Sequence, residues 1–378
     1  MKYFIIFATI ALSSCKLVST SKKMSQMHVD DRRKINQMLI FGIGKAVEYD
    51  DMSEKMKSDL KDIGGIILYK YTFDRQNRRN IYSEKQTKKL IKDIKDNSYI
   101  QPFISVDQEG GIVSRFISDD FFANDVDLES HKELSKLEIK DVYDKVYKMS
   151  KYLKAIGVDI NFAPVVDLEV NKQNPVISQK NRAFSDSSEI VSIYAKEYIK
   201  AANDAGIISS LKHFPGHGSS SGDSHLGFVD VSDTWTENET EPYKYFVKNY
   251  SDFAKKNMIM TAHVFNKHLD EKYPATMSYN VNQKILRDQI GFDGILISDD
   301  LQMKAISEHF DFEEVVVQAI NSGVDMFILG NNLNIDEKAK EKFINIVVKN
   351  IENGKIDIEK IRNSYNKIIA IKKLYKIL

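Results

Sequence analysis

The chain has 378 residues, with 54 Lys plus Arg against 54 Asp plus Glu. No net field draws it toward nucleic acid or an anionic surface, and no nucleic-acid partner is expected. The length suits one large α/β barrel or two ordinary domains, and the absence of a Pro/Gly/Ser-rich linker or low-complexity block favours one.

At the start, Lys2 precedes an apolar run over 4–12 and then Ser13-Ser14-Cys15. The run is too short for a permanent membrane-crossing helix, and its basic start and small-residue end have the layout of a secretory signal. The block Leu12-Ser13-Ser14-Cys15 resembles a bacterial lipoprotein signal, in which the cysteine becomes the acylated first residue. Cys15 is the sole cysteine, so no intramolecular disulfide is possible and the fold stands on its core. This reading divides the chain into a signal peptide over 1–14, a polar tether over 15–31 and a folded domain over 32–378. Lipidation at Cys15 then holds the domain outside the cytoplasm, in the cell envelope.

Short apolar, β-branched runs follow at 37–43, 65–70, 102–107, 159–164, 208–214, 258–263, 294–300 and 325–330, each apolar nearly throughout, as strands buried on both faces are. Helical spacing lies between most of them, for example Val142, Val146, Met149 and Leu153, or Ile190, Tyr194, Tyr198 and Ala202, the second introduced by Asp186 and Glu189. After Gly330 the chain reads as closing helices, with Ile358, Ile361, Tyr365 and Ile368 on one stripe. Eight strands alternating with helices predict a single (β/α)8 TIM-type barrel, for which an open doubly wound sheet is the local look-alike. The polar residues favour the barrel. Asp107, Lys212 with His213, His263, and Asp299 with Asp300 fall at the C-terminal ends of different runs, the rim where barrel enzymes keep their chemistry.

Two stretches carry that chemistry. Leu211-Lys212-His213-Phe214-Pro215-Gly216-His217-Gly218, continuing to Asp223-Ser224-His225, gathers three imidazoles, a lysine and a carboxylate in a segment kept irregular by glycine and proline. Ile295-Leu296-Ile297-Ser298-Asp299-Asp300-Leu301 delivers carboxylates off an apolar strand. Neighbouring strand residues point to opposite faces, so only one of Asp299 and Asp300 is expected to look into the mouth. The pattern suggests an acid and a nucleophile facing one another across a pocket.

The histidine stretch resembles bacterial β-N-acetylhexosaminidases of glycoside hydrolase family 3. So do Asp107-Gln108-Glu109-Gly110-Gly111 with Arg115, Asn161-Phe162-Ala163-Pro164-Val165-Val166-Asp167, and Ser298-Asp299-Asp300-Leu301-Gln302-Met303. The likeness runs from about residue 37 to the region of 330. It implies that 32–378 is a (β/α)8 catalytic domain removing terminal β-linked N-acetylglucosamine with retention of configuration. Asp299 is the implied nucleophile, His225 the acid/base, and Asp223 the carboxylate orienting it. Asp107, Arg115, Arg182, Lys212 and His213 are the implied sugar-binding set, with no cofactor and no metal. An imidazole exchanges protons near neutral pH without a large burial shift, and a carboxylate on one ring nitrogen fixes the tautomer. His217 reads as shaping the loop and His263 as supporting the nucleophile region. The glycines predict a mobile loop, with His225 away from Asp299 when no sugar is bound.

The chain departs from the family pattern twice. Ser178-Gln179-Lys180-Asn181 intervene before Arg182, and Ile112 follows the glycine pair where an arginine is usual. The alternatives are a phosphorylase using phosphate in place of water, a zinc hydrolase on His213, His217, Asp223 and His225, and a non-catalytic glycan-binding lipoprotein. Peptidoglycan fragments ending in N-acetylglucosamine are the expected substrate, with chitooligosaccharides as rivals.

Overall fold

In the computed structural model, which describes residues 30–118, 122–123 and 126–378, residues 30–37 form a helix leading into the first strand. The expected signal peptide and the lipidation at Cys15 lie outside the described residues. Ten strands follow in chain order among the described residues: β1 (Leu39–Gly42), β2 (Gly65–Ile67), β3 (Phe103–Val106), β4 (Ile160–Asn161), β5 (Ile208–Phe214), β6 (Val229–Asp230), β7 (Met258–Thr261), β8 (Val264–Phe265), β9 (Ile295–Asp300) and β10 (Met326–Leu329). Eight of them close a parallel barrel in the order β1-β10-β9-β7-β5-β4-β3-β2, while β6 and β8 pair as a small parallel sheet. Each expected apolar run holds one barrel strand. Every residue of those strands is buried except Asp299, because both the barrel interior and the surrounding helices cover them.

Helices follow the strands, and their buried stripes face the barrel. In Ile139–Ile156 the expected Val142, Val146, Met149 and Leu153 are all buried, and the helix stops at Gly157, whose φ of 108° suits glycine alone. The next helix, Ser188–Asp204, corrects the sequence reading. Ser187, not Asp186, caps it by accepting from the Ile190 N–H, and Ile190 is 41% exposed while Val191, Ala195, Tyr198 and Ala202 are buried. The stripe is rotated because the helix packs against Ile139–Ile156 as well as against β5. The closing helix Ile358–Leu374 ties down the opposite end of the barrel, where Ser364 donates to Asp325 at 2.7 Å and Lys372 to Gln37 at 2.8 Å. Among the described residues no helix is long and apolar enough to cross a membrane.

Two irregularities bear on function. Between Leu211 and Phe214 strand β5 advances three residues while β7 advances two, so Lys212 and His213 form a bulge. Between Ile297 and Asp300, β9 likewise advances three residues against two of β10. A bulge breaks the in-out alternation and re-aims side chains.

Candidate active site

A pocket of about 580 Å³ opens at the C-terminal ends of the strands, and its wall includes every implied catalytic and sugar-binding residue. On one side lies a network of five charged groups. Asp107, just beyond β3, accepts from Arg115 Nη2 at 3.0 Å and Lys212 Nζ at 2.9 Å. Glu109 takes Lys212 Nζ at 2.8 Å and both Nε and Nη2 of Arg182, at 2.8 and 2.7 Å. Burial works to raise both carboxyls, but Lys212 and Arg115 outweigh it at Asp107, while Arg182 and Lys212 hold Glu109 well below its usual range. Three cations against two carboxylates leave one positive charge in excess, held in place by these ion pairs.

Local backbone contacts aim these groups. Buried Gln108 accepts the N–H groups of Arg115 and Phe116 at 2.7 and 3.0 Å and is itself clamped by Asn161, which exchanges two 2.8 Å bonds with its backbone. A side chain at Gly110 would meet the Glu129 carbonyl at 2.2 Å, so the turn that presents Glu109 requires glycine. Ile112, where a charge is absent, borders the pocket and is 52% exposed. The inserted residues before Arg182 form a single turn, Ser178–Lys180, and Asn181 at φ 54° returns the chain so that Arg182 reaches Glu109. The insertion also brings Lys180 to the pocket wall.

His213 Nδ1 lies 2.6 Å from Asp167 Oδ2, and Asp167 Oδ1 accepts the backbone N–H of His213 and His217. Asp167 therefore fixes the stem of the histidine loop. His217 is buried, with Nδ1 on Ser220 at 2.9 Å and Nε2 on Ser224 at 3.3 Å, and burial pushes its pKa down to about 4. It is neutral and stitches the loop together. The loop reaches Asp223 and His225, whose Nδ1 lies 2.8 Å from Asp223 Oδ1. Burial works to raise Asp223, but the His225 hydrogen bond and charge outweigh it and hold the carboxyl at about 2. With Nδ1 engaged, Nε2 is left for a ligand. The three imidazoles thus engage Asp167, the pair Ser220 and Ser224, and Asp223.

The β9 end supplies both aspartates, which corrects the expectation that only one faces the pocket: the bulge brings Asp299 and Asp300 together onto its wall. Their ionisation separates them. Burial works to raise Asp299, but His263, His213 and His225 outweigh it and keep its carboxyl below the ordinary value. At Asp300 burial prevails, raising the carboxyl to about 6, with Oδ1 taken by the N–H of Gln302 and Gly330 at 3.0 and 3.1 Å. A nucleophile must be ionised, so Asp299 is the better suited. His263 supports this strand end, with Nε2 3.0 Å from the Asp300 carbonyl and Nδ1 2.7 Å from Thr276. His225 borders the same pocket as Asp299 and acts on its charge.

Sequence reasoning assigned no role to Glu109 or Asp167, although both sit inside quoted motifs. The available signal was a carboxylate beside the glycine pair at Glu109 and one ending an apolar run at Asp167. Phe73, stacked on His225, gave none.

Fold and pocket define a (β/α)8 barrel carrying an ionised carboxylate, an imidazole held by a second carboxylate, and a cation-rich polar wall at its C-terminal rim. The profile of the Glycosyl hydrolase family 3 N terminal domain matches residues 29–371, and the chain belongs to this family. It is 31% identical over 329 residues to Beta-hexosaminidase A of Pseudoalteromonas piscicida, covering 82% of this chain and 53% of that protein, so it spans about half the relative's length. A Beta-hexosaminidase of Idiomarina loihiensis is 34% identical over 275 residues, covering 71% of this chain and 77% of the relative. A solved glycoside hydrolase family 3 beta-N-acetylglucosaminidase from Paenibacillus superimposes with a TM-score of 0.79 at 26% identity, over 92% of this chain and 62% of that one.

Proposed function

We propose that the protein is a retaining exo-β-N-acetylhexosaminidase that removes terminal β-linked N-acetylglucosamine without a cofactor. The observation that carries this reading is the convergence on one pocket of ionised Asp299, the Asp223–His225 couple and the Asp107, Arg115, Arg182, Lys212 and His213 set. A carboxylate of Asp299 attacks the anomeric carbon as the glycosidic C–O bond breaks, and His225 Nε2 gives its proton to the departing oxygen. Water then attacks the same carbon, His225 takes a proton from it, and Asp299 leaves as carboxylate. Asp223 keeps the ring in one tautomer and balances its charge through both steps.

Peptidoglycan fragments ending in N-acetylglucosamine are the proposed natural substrate, and the lipid on Cys15 the proposed anchor, both supported by the signal-like residues 1–14. The test begins with a 4-nitrophenyl N-acetyl-β-glucosaminide. Wild type should release nitrophenol and the β-anomer of the sugar, and Asp299→Ala should abolish release. An α-anomer, or activity surviving in Asp299→Ala, would overturn the mechanism. Turnover that depends on added phosphate and yields a sugar phosphate would make it a phosphorylase. Mass spectrometry of products from purified peptidoglycan, wild type against His225→Ala, tests the substrate, and incorporation of labelled fatty acid lost in Cys15→Ser tests the anchor.

A further inference from the structure

The Asp223 hydrogen bond holds one atom of the His225 ring, and coupled rotations about the two side-chain torsions can still tilt the ring plane while keeping that contact. A proton donor needs its plane fixed as well, because Nε2 must point at the departing oxygen. The ring is only partly covered, its side chain 37% exposed. Phe73 lies against its face, with ring centroids 5.8 Å apart and planes 21° from parallel, and among the described residues no other ring contacts His225.

Phe73 belongs to a different loop from the histidine it touches. It rides near the tip of a hairpin after β2, closed by the pairing of Tyr71 with Arg78 and by a turn in which the Thr72 N–H donates to the Asn77 carbonyl at 2.8 Å. The base of that hairpin is rooted: buried Arg79 donates to the Gly44 carbonyl at 2.8 Å and to the Asn331 carbonyl at 2.9 Å, linking it to the segments after β1 and β10. The histidine loop is fixed at its stem and at Ser224, whose carbonyl accepts from the Ala305 N–H at 3.2 Å. A rigid arm from one side of the mouth therefore meets the tip of a glycine-containing loop from the other. Phe73 is itself 45% exposed, so burial of its own surface does not explain its place.

We infer that Phe73 is a positioning residue for proton transfer, holding the plane of the His225 imidazole through both half-reactions. This rests on the reading of His225 as acid/base, and the test separates the two. With a 2,4-dinitrophenyl N-acetyl-β-glucosaminide the leaving group departs without a proton, so kcat/KM is independent of the imidazole, whereas kcat is limited by the water step, in which the imidazole is the base. For Phe73→Ala, kcat and KM should fall together by about tenfold, with kcat/KM held within about twofold and a burst of dinitrophenol. On N,N′-diacetylchitobiose, kcat/KM should fall by about ten- to hundredfold. Phe73→Tyr should restore both. An unchanged kcat on the dinitrophenyl substrate would overturn the inference, making Phe73 at most a platform for the leaving sugar. Equal loss in kcat and kcat/KM would do so too, as general damage to the site. His225→Ala measured alongside should give the same pattern more severely. If it does and Phe73→Ala does not, only the inference falls; if it does not, the acid/base reading fails and the inference with it.

Discussion

Replacing Glu109 by glutamine tests whether the charged network is as coupled as its distances imply. The carboxylate is fully buried and receives three charged N–H···O contacts, two from Arg182 and one from Lys212, all at 2.7–2.8 Å. Glutamine keeps the shape but turns one oxygen into a donor facing two cations. Arg182 then keeps one bond to the remaining amide oxygen and its bond from Nη1 to the Val176 carbonyl at 3.0 Å, and the cluster's excess rises from one positive charge to two. Breaking one partner of a buried pair costs about 3–5 kcal/mol, which for a domain of this size lowers Tm by about 4–7 °C. The assay is thermal melting of wild type, Glu109→Gln, Arg182→Met and the double variant. The double variant should be more stable than Glu109→Gln alone, because it removes the stranded cation together with its partner. The pH dependence has a fixed sign. Glu109 is held below its ordinary 4.5, so its contribution is present above that value and lost on acidification; the gap between wild type and Glu109→Gln should narrow below about pH 4.5. A Glu109→Gln variant melting within about 1 °C of wild type, with no coupling in the cycle, would refute the reasoning.

Three further outcomes follow from the same geometry. Asp299→Asn should lower kcat/KM by about 10³-fold or more while Asp300→Asn loses less than about tenfold, since an amide oxygen still accepts the Gln302 and Gly330 N–H groups; a reversed order, read by steady-state kinetics, would exchange their roles. Glu239, whose carboxyl accepts the Gly218 and Ser219 N–H groups, is raised by burial from 4.5 to about 7. The folded state therefore holds the proton that the unfolded state releases, and stability falls by about 3 kcal/mol as pH rises from about 4.5 to 7. Glu239→Gln should flatten the melting curve across that window, and parallel curves would count against it. Gly330→Ala would place a methyl 2.4 Å from Asp300 Oδ2 and 2.5 Å from the Tyr69 hydroxyl, so it should cost about 1–3 kcal/mol by urea unfolding and depress activity; a neutral result would mean the barrel top can spread.

Legibility in the sequence followed the range of the interactions. The strands were readable because burial on both faces demands unbroken apolar runs, and a run needs no knowledge of its neighbours. The helix stripe at Ile190 was misread because which face is buried depends on packing against both Ile139–Ile156 and β5. Asp223 and His225 could be paired by sequence because their contact spans two residues. Arg182 and Glu109 are 73 residues apart, and no local pattern joins them.

By itself the sequence determined the barrel, the rim that carries the chemistry and the identity of the charged groups there, since hydrophobic periodicity and motif chemistry are local properties. Tertiary structure decided how those groups share protons and partners. One extra residue in β9 relative to β10 brings both aspartates to the pocket, burial then separates their ionisation, and a hairpin from across the mouth sets a phenyl ring on His225. Register and burial exist only between strands and loops that the closed barrel has already brought together, which is why neighbouring residues in the chain could not announce them.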